Sequence, residues 1–222
     1  MITLNSFSSV RTQFASWLLC VLTFNGTAFG QTVTTKSATI EDIGAFFKSK
    51  QRTVLTFVGY SGAGYENEAL MRKQAEHILG EFDPARTIVN IGATPEGIGA
   101  VYELAKRGGF LTTGIVSSQA RSYNVSPHVD HVFYVEDKTW GGFMAGTKEL
   151  SPTSKAMVEN SDVIVGIGGG EVARDELVAA IRLGKKVRFI AADMNHQKAR
   201  ESARKKKLPE PTDFRGAAHG AF

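Results

Sequence analysis

Three times along this chain a run of β-forming apolar side chains stops at a cluster of glycines, and a helical apolar face begins just beyond it. Thr53-Val-Leu-Thr-Phe-Val58 runs into Gly59-Tyr-Ser-Gly-Ala-Gly64, after which Ala69, Leu70, Ala75, Ile78 and Leu79 fall on one helical face. Thr87-Ile-Val-Asn-Ile91 runs into Gly92-Ala-Thr-Pro-Glu-Gly97-Ile-Gly99, with Ile98, Val101, Leu104 and Ala105 inward on the next helix. Val163-Ile-Val-Gly-Ile167 ends at Gly168-Gly-Gly170 and a helix over Val172 to Arg182. Strands that are apolar without alternation must be covered on both faces, and crossover helices supply that cover. Further strands are predicted at Phe110–Val116, Val132–Val135 and Val187–Ile190. Short helices are predicted over Ile40, Ile43, Phe46 and Phe47 and over 153–160. The fold class is therefore α/β, a three-layer αβα sandwich with a mostly parallel sheet of about six strands.

With 222 residues and 42% apolar side chains there is enough chain for one such domain, placed at 53–197 after a polar extension at 31–52. Ahead of it, Arg11 precedes the apolar stretch Phe14–Phe24, which leads to Ala28-Phe-Gly30. That order is expected of a secretory signal peptide over residues 1–30, and its apolar core is too short for a spanning helix. The protein is accordingly expected to be exported, periplasmic or secreted. The alternatives are an uncleaved anchor, or a misassigned start codon on a cytoplasmic protein. The net charge of +4 is concentrated in residues 198–207, which hold six basic side chains and one acid. This run and the turn-rich stretch to Phe222 read as a basic, loosely ordered tail with no firm nucleic-acid or membrane partner. The single cysteine, Cys20, excludes a disulfide framework and multi-cysteine metal sites, and His77, His128, His131, His196 and His219 show no ligand spacing. No metal and no cofactor is expected.

Glycine at the carboxyl end of a parallel strand lets the backbone approach a phosphate, and the following helix offers free N–H donors and the positive end of its dipole. Three such turns point to a nucleotide-like small molecule. Familiar phosphate machinery does not fit them. Gly59 to Gly64 and Gly92 to Gly97 have P-loop glycine spacing but lack the lysine and hydroxyl that hold a terminal phosphate. The dinucleotide fingerprint fails because Glu171 stands where its last glycine belongs, and no Gly-x-Ser-x-Gly elbow supports a hydrolase triad. The candidate binding residues are Gly59, Ser61 and Gly62 in the first turn, Gly92, Thr94, Gly97 and Gly99 in the second, and Gly168, Gly169, Gly170 and Glu171 in the third.

Taken in order, these segments resemble the Lonely Guy and lysine decarboxylase-like branch of the SLOG superfamily, Rossmann-like proteins that bind nucleotides or their derivatives. The match runs over residues 53–190. It is carried by Thr56–Gly64, Gly92–Val101, Thr113–Val116, and the blocks Ser154-Lys-Ala-Met157 and Ser161–Glu176. The resemblance implies a Rossmann-like fold and a homodimer. In cytokinin-activating members it also implies phosphoribohydrolase activity, with an arginine and a glutamate cleaving the N-glycosidic bond of a nucleoside monophosphate. Glu176 matches that glutamate and is the candidate catalytic residue, and Lys155 is a candidate phosphate contact. Ser154 stands in place of the arginine, Gly168 in place of the last block's proline, Val172 of its third glycine and Ala173 of its threonine. Arg174 lies near enough in sequence to act as a substitute cation. The leading expectation is a nucleotide-binding protein without required catalysis. The alternatives are a phosphoribohydrolase using Glu176 and a non-catalytic interaction module.

Other residues carry weaker signals. Trp140, flanked by glycines in the aperiodic stretch 137–152, is a candidate for stacking on a base. Arg121 and Asp193 each follow a strand end. His128 and His131 read as structural.

Overall fold

The computed structural model describes residues 33–222, so the signal peptide expected over 1–30 lies outside the described residues. Seven strands form one parallel sheet: β1 (Thr34–Ser37), β2 (Thr53–Gly59), β3 (Thr87–Ile91), β4 (Leu111–Ser117), β5 (His131–Val135), β6 (Val163–Ile167) and β7 (Lys186–Ile190), in the order β1-β5-β4-β3-β2-β6-β7. The helices are α1 (Ile40–Lys50), α2 (Glu68–Leu79), α3 (Ala100–Arg107), α4 (Pro152–Glu159), α5 (Glu171–Arg182), α6 (His196–Lys205) and α7 (Gly216–His219). The α/β class and layered arrangement are as expected, with one more strand than the sequence suggests. The extra strand is β1. Its Thr-Thr-Lys-Ser side chains are all exposed, because an edge strand pairs on one side only and needs no apolar run. Backbone bonds hold it, with Thr34 N–H donating to Asp130 O at 2.9 Å and Ala38 N–H to Tyr134 O at 3.0 Å.

Alternate side chains of the central strands enter different cores. Leu55, Phe57, Val89, Ile91, Val163, Val165 and Ile167 meet α2 and α3 through Met71, Ala75, Val101 and Leu104. Val54, Ile88 and Ile115 meet α1 and α4 through Ile43, Phe47, Ala156 and Met157, while Val58 and Ile164 meet α5 through Leu177 and Ala180. The apolar runs without alternation are thus explained by cover on both faces. α1 starts at a capping box, with Thr39 Oγ1 accepting from Asp42 N–H and the Asp42 carboxylate accepting from Thr39 N–H.

A row of buried polar side chains crosses the sheet on the α4 face. Thr56, Asn90 and Thr113 are register partners on β2, β3 and β4. Asn90 Nδ2 donates to Thr56 Oγ1 at 3.2 Å, and Thr113 Oγ1 donates to Asn90 Oδ1 at 3.0 Å. Thr56 Oγ1 also shares a 2.6 Å bond with Ser161 Oγ, which donates to Met157 O at 2.7 Å. A one-residue slip of any of these strands would turn its polar side chain to the opposite, apolar face, so the row pins the register.

The carboxyl-terminal region differs from the loose tail expected. α6 is a regular helix, and the segment beyond it packs back on the domain. Met194 N–H donates to Phe214 O at 2.8 Å, Tyr60 Oη to Arg215 O at 2.6 Å and Ala218 N–H to Gly169 O at 3.0 Å. Phe222 stacks on Phe189 with ring centroids 4.8 Å apart, and His196 stacks on Phe214 at 4.0 Å. Turn formers such as Pro209, Pro211 and Gly216 reflect a strap that follows the surface rather than a chain without a place.

Asn90→Ala should lower unfolding stability by about 2–3 kcal/mol, since it strands the buried Thr113 hydroxyl and removes a bond from Thr56. Urea unfolding followed by circular dichroism measures this, and a change below ~0.5 kcal/mol would contradict the role given to the row.

Candidate functional site

From β2 the chain crosses to β3 on one side and later to β6 on the other, so the strand order reverses at β2. Crevices form beyond the carboxyl ends of strands at such a reversal. A cavity of about 700 Å³ lies there, bordered by Gly59, Ser61 and Gly62 after β2, Gly92 to Glu96 after β3, Tyr123 to Val125 after β4, Trp140, and Thr153, Met157, Val172, Ala173 and Glu176 from α4 and α5.

The structure separates the candidate glycines into two kinds. Gly97 has φ +59°, and a Cβ there would overlap Tyr60 O and Ser61 O; one on Gly99 would overlap Thr94 O, and one on Gly59 would overlap Tyr65 Oη. These three are required by the chain's own packing. The close approach is sealed by Ile98 N–H, which donates to Tyr60 O at 2.7 Å and knits the first two turns together. Gly62 and Gly92 are different. Both border the cavity, neither has a positive φ, and a Cβ on either would meet nothing within 4 Å. Packing within the chain does not explain them, and they leave the backbone open to the cavity.

The third turn takes another role. A Cβ on Gly168 would press on Tyr60 and on Ala192 O, and Gly169, with φ +134°, is close to Ala173 and to Ala218 of α7. Gly169 O also receives the Ala218 N–H. The strap covers this turn, and Gly168, Gly169, Gly170 and Glu171 are not among the residues bordering the cavity. What reaches the cavity from this side is the first turn of α5 through Val172 and Ala173. Gly170 caps that helix with no side-chain hydrogen bond, so its first N–H groups lack an intrahelical partner.

Glu176, one turn further along α5, is 5% exposed at the cavity wall. Ser154 Oγ donates to its Oε1 at 2.7 Å and accepts from Gly142 N–H at 2.7 Å. A hydroxyl therefore stands where the resembled family has a guanidinium. Burial raises the Glu176 carboxyl to about 7; the Ser154 bond opposes this and the neighbouring Asp175 charge adds to it. Arg174 does not substitute for the missing cation. Its Nε and Nη2 both bond Asp175 Oδ1, at 2.9 and 2.8 Å.

No lysine, arginine or histidine is among the residues bordering the cavity. Lys155 is half exposed and faces Glu159 at 3.8 Å. Arg121 lies over the Tyr134 ring at 4.7 Å and bonds Ser37, while Asp193 accepts from His196, so neither reaches the cavity. Thr94 does border it, its hydroxyl closing a local turn by accepting from Glu96 N–H at 3.2 Å. Among the described residues no group of three or more His, Cys, Asp or Glu could hold a metal ion.

Trp140 reaches the cavity mouth, where it meets Tyr123 edge to face at 5.4 Å. Its loop is irregular but anchored. Asp137 accepts from Thr139 N–H at 2.8 Å and from Thr153 N–H at 2.9 Å, and Asp175 Oδ2 accepts from Phe143 N–H at 2.8 Å. The sequence reading missed Tyr123, Asn124, Thr153 and Met157. The exposed aromatic in the loop after β4 was the available signal.

No protein-family model matches the chain, and no curated protein matches it in sequence. Solved structures do. The structural-genomics target TM1055 is 21% identical with a TM-score of 0.45, over 61% of this chain and 72% of that one. The molybdenum cofactor carrier protein of Chlamydomonas reinhardtii is 16% identical with a TM-score of 0.46, over 70% of this chain and 85% of that one. The molybdenum cofactor binding protein of Rippkaea orientalis is 16% identical with a TM-score of 0.48, over the same shares. The chain's own parallel sheet, covered by helices on both faces, is the Rossmann-like sandwich expected from the sequence.

Proposed function

We propose that this protein binds a nucleotide or nucleotide-derived small molecule in the cavity beyond β2, β3 and β4. The observation that carries the reading is the pair Gly62 and Gly92, two glycines on the cavity wall whose missing side chains leave space that nothing in the chain fills. Backbone approach of this kind suits a phosphate, and the first turn of α5, the positive end of its dipole, borders the same cavity through Val172 and Ala173. Binding without turnover is the preferred form. N-glycosidic cleavage needs a cation beside the carboxyl to orient substrate and assist departure, and Glu176 meets the Ser154 hydroxyl instead, with no basic side chain lining the cavity around it.

A phosphoribohydrolase is kept as the second reading because of Glu176. A buried carboxyl pushed up to about 7 at the wall of the cavity is poised to give or take a proton near neutral pH. Base release from nucleoside monophosphates, lost in Glu176→Gln, would establish it.

Thermal unfolding of the full chain against nucleoside monophosphates, nucleotide sugars and dinucleotides tests the binding reading. A ligand at 100 times its Kd should add about 2.7 kcal/mol of stability. Gly92→Ala should unfold with the wild type and lose at least tenfold in affinity; wild-type affinity in this variant would sink the cradle argument.

Glu176 gives a pH signature. Its carboxyl is raised on folding, so the folded protein holds the extra proton between about pH 4.5 and 7, and stability falls as pH rises through that window. The loss should be roughly 2–3 kcal/mol and absent in Glu176→Gln. Affinity for an anionic ligand should fall through the same range in the wild type and stay level in the variant, as titration calorimetry at pH 5, 6, 7 and 8 would measure.

A further inference from the structure

The cavity has an anion cradle without a cation of its own, yet one ammonium stands at its rim. Lys198 Nζ donates to Gly62 O at 3.2 Å and lies 3.7 Å from Glu96 Oε2, so it spans the first and second glycine turns. It comes from α6, in the segment that the sequence reading set aside as a solvated tail. The start of α6 is fastened to the β2–α2 loop. Asn195 N–H donates to Gly64 O at 3.2 Å, His196 N–H donates to Glu66 Oε2 at 2.9 Å, and the Asn195 side chain caps the helix by accepting from Lys198 N–H at 2.9 Å. The backbone of Lys198 is thereby fixed relative to the glycine turn that it overlooks.

Its present partners hold it weakly. An ammonium has three donors, and the Gly62 carbonyl takes one. The Glu96 contact is long, and the two side chains are 51% and 63% exposed. Pairs of that kind are worth at most about 1 kcal/mol, so a phosphate in the cradle can draw the ammonium away. Two strands across, the loop after β4 carries Tyr123 at the cavity mouth, where Trp140, from the anchored loop after β5, meets it edge to face; the two are 63% and 53% exposed. Exposed aromatics paired at a cavity mouth offer a stacking surface for a planar ring. Neighbouring strands are about 4.8 Å apart, which separates the two ends of the cavity by roughly 10 Å. That span suits a base joined to its phosphate through a ribose.

We propose that Lys198 is the phosphate-recognising cation of the site, and that the ligand lies across the strand ends with its anionic group between Lys198 and Gly62 and its ring against Tyr123 and Trp140. The assignment rests on the nucleotide-binding reading and gives that site a direction and a charge requirement.

The test compares AMP with adenosine by titration calorimetry on the full chain. The wild type should bind AMP at least tenfold more tightly than adenosine at low salt, with the gap narrowing as salt is added. Lys198→Met should lose that tenfold for AMP and leave adenosine unchanged, and Lys198→Arg should keep most of it. Glu96→Gln, which removes the competing carboxylate, should tighten AMP a few-fold. Trp140→Ala should weaken both ligands by similar factors. Equal affinity of the wild type for the two ligands, or an undiminished AMP preference in Lys198→Met, would overturn the assignment while leaving the binding reading intact. Failure of the wild type to bind either ligand at millimolar concentration would overturn both. The Lys198 contacts are at the surface, so the variants should melt with the wild type, and Lys198→Arg separates loss of charge from loss of fold.

Discussion

The site depends on three neighbouring parallel strands, β2, β3 and β4, held in one register, and the Thr56, Asn90 and Thr113 row is what pins it. A sheet buried on both faces gains little specificity from its apolar side chains, because a shifted strand still finds apolar neighbours. Polar groups in that setting have few acceptable arrangements, since each lost bond leaves a desolvated group unpaired. With β2, β3 and β4 locked in register, the turns that follow them open on the same edge of the sheet. The turns that follow can then share one cavity, and Ile98 can reach Tyr60 O to join the first two.

Around that frame, the glycines divide their labour. Gly59, Gly97 and Gly99 allow backbone to press on backbone, and Gly168 and Gly169 allow Tyr60, α5 and α7 to close over the third turn. Gly62 and Gly92 serve no such contact within the chain and face open space at the cavity. The carboxyl-terminal strap has a double effect. It covers one glycine turn, and through α6 it sets Lys198 above another. The electrostatics of the cavity follow from the same geometry. Glu176 meets a hydroxyl in place of a guanidinium, so burial dominates and the carboxyl holds its proton into the neutral range. While that proton is held, the Glu176 wall of the cavity carries no charge.

Much of the fold was legible because its signals are local. Apolar runs, glycine clusters and helical periodicity are each set within a few residues, and the α/β class follows from their alternation. Glu176 and Trp140 were also legible, the first from its block after the third turn and the second from its glycine neighbours. β1 was not, because an edge strand is held by backbone bonds that its side chains do not advertise. The third glycine turn resembled the other two in sequence and differs from them only because α7, almost fifty residues later, lies on it. Lys198 looked like one more charge in a basic run, since nothing near it in sequence reveals the turn 136 residues earlier that it overlooks.

The sequence by itself determined the layered α/β fold, the crevice at the strand ends and the carboxyl at its wall. These follow from patterns that short-range sterics and burial enforce. Only the tertiary structure decided which glycines border the cavity, what partners Glu176 and where Lys198 stands. Each of these depends on segments distant in sequence arriving within a few ångströms of one another, and packing energy rather than local preference brings them there.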